Sequence, residues 1–326
     1  MRPLCGLILW LIATSLCAAA EPLLIAHRGA SGYRPEHTLA AYKLGIEQGA
    51  DYLETDLVAT RDGVLICRHD CDLGPTTDVA ARFPERKATI TLDGKKVTGF
   101  FAHDFTLEEV KTLRALPRSP GGGSADEKLR VPTFEELLQL VAAHNKRAKK
   151  KVGICPEIKH PAHHRARGVP LERALLTALE KYGYRDAADL CIIQSFDHQC
   201  LAALAKDTKL RLLQLLPRRS TPGRLPPIPS TEELQRIARY ASAIGPHKAS
   251  VVPRNLLGQA GEPTDLISRA HACGCQVWVY TFRQEMGLLN LTGPSMAEEI
   301  RRFADLGTDG LFTDYPDKAR AALGVE

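Results

Sequence analysis

The sequence lacks a strong net charge, aromatic residues within its basic runs and an apolar run long enough to cross a membrane. Its formal net charge is only +5 over 326 residues, and 6% of its residues are aromatic. The basic runs at 146–151 and 218–219 have no aromatic residues between their charges, which argues against a nucleic-acid partner. The apolar stretch at 7–16 is too short to span a bilayer. We therefore expect neither nucleic-acid binding nor a stable membrane anchor, whereas a small anionic substrate is compatible with this charge.

The first 20 residues have the layout of a secretory signal peptide. Arg2 supplies a positive start, 7–16 supply an apolar segment, and Ala18-Ala19-Ala20 is a small-residue cleavage site. Cys17 raises the question of lipidation, but Leu16 stands where a small residue is expected before an acylated cysteine. We predict cleavage after Ala20, export without a lipid anchor, and one mature domain over 21–326.

Cysteine is frequent for an exported protein. Seven of the nine cysteines lie after position 20, so at least one is unpaired or pairs between chains. Three cysteines in apolar runs are expected to be buried thiols: Cys67, Cys155 and Cys191. Cys67 and Cys71 could close a small loop, whereas Cys273 and Cys275 have the wrong spacing for a zinc site.

Short apolar segments alternate with amphipathic helical segments, which is typical of a parallel sheet. The strand candidates are 23–27, 52–57, 64–68, 152–157, 190–194, 211–216, 242–245, 276–281 and 310–313. The helix candidates include 38–48, 133–147, 171–182, 198–206, 231–241, 263–272, 296–305 and 316–323. The connection from Asp56 to Val64 is too short for a helical crossover. We predict an α/β fold, a (β/α)8 TIM barrel with one of the nine strand candidates outside it.

Residues 70–131 interrupt this alternation. The segment is rich in Asp, Gly, Pro and Lys and contains a glycine-rich run at 119–124. We predict a small subdomain inserted after the third strand, on the rim that carries the active site. It could shape access to the substrate, or it could be only a surface loop.

Ionisable residues stand at the ends of several apolar runs. They are His27 and Arg28, Glu54 and Asp56, His69, and Glu157 and Lys159. Each pair alone is more often a solvated surface feature or a weak salt bridge. Because the carboxyl ends of parallel strands meet at one edge, their convergence predicts an active site there.

The spacing of the acidic residues predicts a metal site. Residues i and i+2 of a strand share a face, so Glu54 and Asp56 direct two carboxylates at one volume. Two such charges repel unless a cation lies between them. Glu157 can supply a third oxygen ligand. An oxygen-only set suits Ca²⁺, with Mg²⁺ as the alternative, more than zinc.

Five short motifs carry a resemblance to a known family. They are His27-Arg28-Gly29, Pro35-Glu36-His37-Thr38, Glu54-x-Asp56, His69-Asp70 and Pro156-Glu157-Ile158-Lys159, and the ending at 310–316 fits as well. Together they resemble the glycerophosphodiester phosphodiesterases, in particular the bacterial periplasmic branch, over about 23–320. His37 departs from the asparagine of many members, although the periplasmic branch is similar to this chain there. The resemblance implies a periplasmic location.

The resemblance also implies the reaction and the roles of the residues. The chain would hydrolyse glycerophosphodiesters, which are products of phospholipid degradation, to glycerol 3-phosphate and an alcohol. Glu54, Asp56 and Glu157 would hold the metal, and Arg28 and Lys159 would bind the phosphate oxygens. The family's pattern makes His27 the base and His69 the acid, an order that the sequence alone does not establish. Attack by the glycerol 2-hydroxyl is favoured over direct attack by water.

Several alternatives stay open. Three aromatic residues near strand ends could form a wall of the glycerol pocket or simply pack in the core: Phe196, Trp278 and Tyr280. A cluster of histidines could support the site or lie in a loop: His160, His163 and His164. A lysophospholipase D, a phosphoinositide-type phospholipase or a binding protein with an inactive site are rival functions. The sequence does not indicate the oligomeric state.

Overall fold

The computed structural model describes residues 21–118, 126, 128–217, 228–255, 259–284 and 294–324. The predicted signal peptide and the glycine-rich run at 119–124 lie outside these residues. The described strands are β1 (Leu23–Ala26), β2 (Tyr52–Ala59), β3 (Leu65–Cys67), β4 (Ala88–Leu92), β5 (Lys95–Gly99), β6 (Gly153–Ile158), β7 (Ile192–Ser195), β8 (Arg211–Leu215), β9 (Ala243–Gly245), β10 (Gln276–Phe282) and β11 (Gly310–Thr313).

Eight parallel strands close into the predicted barrel. The order runs β1-β11-β10-β9-β8-β7-β6-β2, and pairing of β1 with β2 completes the ring. β3 pairs antiparallel with β2 outside the ring, with Leu57 opposite Cys67. The short return between β2 and β3 therefore makes 64–68 the strand candidate that the barrel excludes, because a parallel neighbour needs a longer crossover.

The helices lie along the chain between the strands. They are α1 (Leu39–Glu47), α2 (Val79–Arg82), α3 (Leu107–Thr112), α4 (Phe134–Asn145), α5 (Pro161–Arg165), α6 (Leu171–Lys181), α7 (His198–Leu204), α8 (Thr231–Ile237), α9 (Lys248–Val251), α10 (Leu266–Ala272), α11 (Met296–Asp305) and α12 (Pro316–Ala322). Among the described residues, none of these helices has the length and apolarity needed to cross a membrane.

Alternate residues of the barrel strands face two different cores. Leu24, Leu53 and Ile154 belong to the large cluster shared with the helices. Ile25, Tyr52 and Cys155 belong to a smaller cluster inside the barrel. Because residues two apart share a face, Glu54 and Asp56 continue the inward row that begins at Tyr52. The packing of the strands thus directs both carboxylates toward the barrel axis at its carboxyl edge.

The segment between β3 and α4 builds a core of its own. It contains α2, the β4–β5 hairpin and α3, and its buried residues include Leu73, Phe101 and Phe105. The hairpin pairs antiparallel, with Leu92 opposite Lys95. This segment follows β3, which is the third strand in chain order and lies outside the barrel.

All seven cysteines among the described residues are free thiols. The suggested Cys67–Cys71 bridge is therefore wrong. Cys67 packs in the core between barrel and helices, whereas Cys71 packs in the inserted segment, with its Sγ 3.7 Å from Nε2 of His164. Burial raises the pKa of the Cys67 thiol to about 11 and that of Cys71 to about 12, so both are protonated and act as small apolar side chains.

Candidate active site

Glu54, Asp56 and Glu157 form one carboxylate cluster at the carboxyl edge of the barrel. β2 and β6 are neighbours in register, with Asp56 opposite Glu157. One carboxylate oxygen from each residue lies within 4.8 Å of the others, and all three residues are buried. Asp56 Oδ1 is buried without a hydrogen-bond partner, and Lys159 Nζ is 3.6 Å from it. A buried carboxylate oxygen needs a partner, so this oxygen-only set could hold a divalent metal ion.

The pKa shifts of these carboxylates also favour a bound cation. Burial, together with the charge of Asp56, raises the pKa of Glu54 well above its usual range. Burial raises the pKa of Glu157 to about 8 although Lys159 opposes the shift. Burial also opposes ionisation of Asp56, but Lys159, His69 and His37 hold its pKa well below the usual range. Three ionised carboxylates therefore require additional positive charge, which a divalent ion would supply.

Arg28 is held in place by a tight turn at the end of β1. Its φ is 59°, and its backbone N–H donates to Glu54 Oε2 at 2.6 Å. Its NH1 donates to Glu36 Oε2 at 3.1 Å, and its Nε lies 3.4 Å from Asp56 Oδ2. The guanidinium thus stands beside the carboxylate cluster, where it could bind an anionic oxygen.

Gly29 makes this turn possible. Its φ is +81°, and a Cβ at this position would lie 2.6 Å from the carbonyl carbon of Ala41 and 2.8 Å from the nitrogen of Tyr42. These are backbone atoms of α1, which cannot move aside without displacing the helix. Glycine is therefore required for both the backbone conformation and the close approach of α1.

Lys159 follows β6 and lies on the same face as Glu157. Its Nζ is 2.8 Å from Glu157 Oε1, and only 8% of the residue is exposed. It also lies 5.7 Å from the centre of the Phe196 ring. Although burial alone would lower the pKa of Lys159, Glu157 and Asp56 raise it above the usual range, so the side chain is a fixed cation.

His27 is paired with an aspartate from the opposite end of the chain. Its Nδ1 lies 2.6 Å from Asp314 Oδ1, which follows β11. An ionised carboxylate accepts a hydrogen bond, so Nδ1 carries the proton and Nε2 is left able to accept one. Burial and the charge of Arg28 lower the pKa of His27 to about 4, while Asp314 opposes that shift. The imidazole is therefore neutral near pH 7, as a general base must be.

His69 has a similar pairing on the segment after β3. Its Nδ1 lies 2.8 Å from Asp70 Oδ1, and its side chain is 30% exposed. Burial lowers the pKa of His69, but the nearby charge of Asp56 favours the protonated ring. His27 and His69 are thus each held by an aspartate, and both line the same cavity.

His37 contacts the metal-site carboxylate directly. It is fully buried, and its Nε2 lies 2.8 Å from Asp56 Oδ2. Its Nδ1 lies 2.7 Å from the hydroxyl of Tyr42. His37 thus orients Asp56.

A cavity of about 610 Å³ opens at this edge of the barrel. Five predicted site residues line it, namely His27, Arg28, Glu54, His69 and Glu157. The remaining lining includes four apolar or aromatic side chains, namely Phe196, Leu215, Tyr280 and Phe312. Lys159 lines a neighbouring cavity of about 500 Å³, which shares Glu157 and Phe196 with the first.

Two of the three aromatic candidates reach this cavity. Phe196 is 40% exposed, and its ring packs edge-on against Tyr280 at 6.0 Å. Trp278 does not line the cavity, and its suggested place in the pocket is corrected. It is fully buried inside the barrel, 5.3 Å from the ring of Tyr52. It is two positions before Tyr280 on the same face, so it lies deeper in the barrel.

The histidine cluster after β6 lies outside the cavity that His27 and His69 share. His160 Nδ1 is 2.6 Å from Asp93 Oδ2 at the tip of the β4–β5 hairpin. His163 Nε2 is 3.3 Å from His103 Nδ1. Together with the contact of His164 with Cys71, these pairs join α5 to the inserted segment. These histidines therefore hold the insertion against the barrel.

Several residues of the site had no role assigned from the sequence. Asp314 and Arg283 directly follow barrel strands, and Gln194 is the penultimate residue of β7, with its Nε2 3.4 Å from Glu54 Oε1. The rule that picked out His27 and Glu54, polar groups at strand ends, would also have identified Asp314 and Gln194. His247 also lines the cavity.

Comparison with known proteins identifies the family of this chain. The sequence profile of the Glycerophosphoryl diester phosphodiesterase family matches residues 27–318. Glycerophosphodiester phosphodiesterase GDPD6 of Arabidopsis thaliana is 37% identical, with 91% of this chain and 84% of that protein covered.

Solved structures show the same fold. The crystal structure of a Silicibacter pomeroyi DSS-3 protein described as a glycerophosphoryl diester phosphodiesterase has a TM-score of 0.68 and 25% identity, with 94% of this chain and 96% of that chain covered. An Oleispira antarctica phosphodiesterase in complex with the product sn-glycerol-3-phosphate has a TM-score of 0.66 and 21% identity, with 93% and 97% covered. The chain belongs to the glycerophosphoryl diester phosphodiesterase family and is an enzyme that hydrolyses glycerophosphodiesters.

Proposed function

We propose that the enzyme hydrolyses water-soluble glycerophosphodiesters with a bound Ca²⁺ and two histidines in acid–base roles. The observation that carries this proposal is the convergence of three buried carboxylates and two aspartate-paired histidines on one site. The product named in the Oleispira antarctica structure supports glycerol 3-phosphate as the phosphorylated product here.

The proposed metal ligands are Glu54, Asp56 and Glu157. Their hard oxygen donors and the unpartnered Asp56 Oδ1 fit Ca²⁺, with Mg²⁺ as the alternative. When bound, the ion supplies positive charge next to the phosphoryl oxygens and orients a glycerol hydroxyl. Arg28 and Lys159 bind the non-bridging phosphate oxygens, and their fixed charges stabilise the additional negative charge of the transition state.

His27 acts as the base in the first step. Its Nε2 takes the proton of the glycerol 2-hydroxyl, whose oxygen attacks phosphorus and forms a cyclic phosphodiester. The bond from phosphorus to the alcohol oxygen breaks, and His69 donates a proton to that oxygen. Burial lowers the pKa of both histidines; the charge of Asp56 opposes that shift at His69, whereas the charge of Arg28 adds to it at His27. The assignment of His27 as base and His69 as acid therefore follows the pattern of the family.

The second step returns both protons. A water molecule gives a proton to His69 and attacks the cyclic phosphate, the bond to the glycerol 2-oxygen breaks, and His27 returns its proton to that oxygen. Phe196 and Tyr280 pack against the glycerol carbons on the apolar part of the cavity. The glycerol moiety is thus required for reaction, whereas the alcohol only has to leave.

The test measures glycerol 3-phosphate release with a dehydrogenase-linked assay, and it measures choline release as well, because lysophosphatidylcholine would yield choline without free glycerol 3-phosphate. Glycerophosphocholine should be hydrolysed and lysophosphatidylcholine should not. Chelation should abolish activity, and Ca²⁺ should restore it. His27→Ala and His69→Ala should each lower kcat by at least about a hundredfold, since proton transfer contributes about 10²–10⁴. His144→Ala, which alters a histidine on α4, is the matched control. Full activity after chelation would refute the metal assignment, and preference for lysophosphatidylcholine would indicate a lysophospholipase D.

We also propose that the enzyme is exported to the periplasm. The support is the signal-peptide pattern of 1–20, with Arg2, an apolar segment and three alanines before Glu21. Expression of the full-length chain followed by cell fractionation and N-terminal sequencing tests this. A protein that keeps Met1 and stays in the cytoplasm would contradict the proposal.

A further inference from the structure

Arg118 connects the inserted segment to the site. Its Nε donates to Glu36 Oε2 at 2.8 Å, and its NH2 donates to Glu36 Oε1 at 2.7 Å. The same NH2 donates to Asp70 Oδ2 at 2.8 Å. One guanidinium therefore grips both oxygens of one carboxylate and one oxygen of a second. Such a two-pronged bond fixes direction as well as distance.

Both carboxylates hold a residue of the proposed mechanism. Glu36 Oε2 also accepts from Arg28 NH1 at 3.1 Å, and Glu36 is only 5% exposed. The other oxygen of Asp70, Oδ1, lies 2.8 Å from His69 Nδ1. The chain of contacts thus runs from the phosphate-binding arginine to the proposed acid through Arg118. The central link comes from outside the barrel, because Arg118 belongs to the insertion between β3 and α4.

We propose that Arg118 is a positioning residue that sets Arg28 and His69 relative to each other. This inference rests on the proposed function. Without Arg118, Glu36 retains Arg28 as its arginine partner and draws that guanidinium away from the substrate phosphate. Asp70 loses the contact that fixes its second oxygen, and the His69 ring is less well oriented toward the leaving alcohol. The insertion is then part of the active site rather than a surface loop.

The experiment compares Arg118→Ala and Arg118→Lys with the wild-type enzyme in Ca²⁺, with glycerophosphocholine as substrate. We expect kcat to fall about 10- to 100-fold in both, as is typical when a partner that orients a reacting group is lost, with a smaller change in KM. Lysine fails because one ammonium cannot reproduce the planar fork. Arg82→Ala is the matched control, since Arg82 is an insertion arginine that pairs with Asp78.

Two further measurements separate positioning from a merely structural role. Added guanidinium should partly restore kcat of Arg118→Ala and leave Arg118→Lys unchanged. Asp70→Asn should lower kcat in the wild-type background and have much less effect in Arg118→Ala, because residues on one contact chain are not additive.

The outcomes are distinguishable. A wild-type kcat in both Arg118 variants, with or without a lower Tm, would overturn the role of Arg118. Should Arg118→Ala not fold, Arg118→Lys with normal kcat would still overturn it. An inactive wild-type enzyme would instead contradict the proposed function, and this inference with it.

Discussion

His27 and Asp314 lie 2.6 Å apart although 287 positions separate them in the sequence. β1 and β11 are neighbours, with Ala26 opposite Thr313, so the next residue of each strand reaches the same edge. Asp314 also lies 3.4 Å from Arg283 Nε. The closure of the barrel therefore determines the tautomer of the proposed base.

Asp314→Asn should reduce kcat by about 10²–10⁴, as expected when a carboxylate no longer fixes the tautomer of a catalytic histidine. The amide N–H₂ can donate to Nδ1, which would move the ring proton to Nε2 and remove the base. Asp317→Asn is a matched control, because Asp317 lies on the nearby helix α12 and accepts a hydrogen bond from Tyr33 there. Steady-state kinetics test this, and equal kcat in the two variants would refute the pairing's importance.

Ca²⁺ should raise the Tm of the wild-type protein and not that of Asp56→Asn. A ligand at 100 times its Kd stabilises by about 2.7 kcal/mol, because it binds only the folded state. Asp56→Asn removes one of three crowded carboxylates but also the partner of His37, so the Tm of this variant in chelator is not informative by itself. The informative quantity is the change in Tm on addition of Ca²⁺, measured for each protein by differential scanning calorimetry. Glu47→Gln, on the exposed face of α1, should keep the full response.

Gly29→Ala should destabilise the protein by about 1–3 kcal/mol or more, the usual effect of forcing atoms into a packed region. The new Cβ would lie 2.6 Å from the backbone of Ala41 at a positive φ. Arg28 and α1 would shift, and activity would fall with stability. Gly94→Ala has a positive φ but no atom within 4 Å of a Cβ, so it separates the backbone strain from the clash. Chemical denaturation measures the free energy of unfolding of each variant. An equal loss of this free energy in Gly29→Ala and Gly94→Ala would count against the clash.

Stability should fall on acidification between about pH 6.5 and pH 4, partly through His164. Burial and the neighbouring His163 and His103 lower the pKa of His164 to about 3, against 6.5 in the unfolded chain. The unfolded state therefore binds more protons in this range, so unfolding becomes easier as pH falls. His164→Asn should narrow the difference in Tm between pH 7.5 and pH 4.5, whatever its effect at pH 7.5. His144→Asn should leave the difference unchanged, and an unchanged difference in His164→Asn would refute the assignment.

The fold and the convergence of the three carboxylates could be predicted because both depend on short-range periodicity. Alternation in β2 places Glu54 and Asp56 on the inward face, and strand length and spacing predict a barrel. The short return after Asp56 also predicted that one strand candidate lies outside the barrel. In the structure that strand is β3, which pairs antiparallel with β2.

The rest could not be predicted because it depends on contacts between distant segments. Arg118 lies beside a glycine-rich run whose pattern gives no direction to its side chain, and only the packed insertion brings it to Glu36. Cys67 and Cys71 are close in sequence, but the chain leaves the barrel sheet between them and enters a second core. Trp278 and Tyr280 share a face, yet depth along the barrel axis separates core from cavity.

The fully buried Trp278 gives the folded barrel an optical signal of its own. The sequence has two tryptophans, Trp10 and Trp278, so a chain that starts at Glu21 carries a single one. Its indole packs against Tyr52 from β2 and Phe312 from β11, the two strands that flank β1 once the sheet closes. Fluorescence of this indole should therefore be blue-shifted in the native enzyme and should follow ring closure during refolding, without any label.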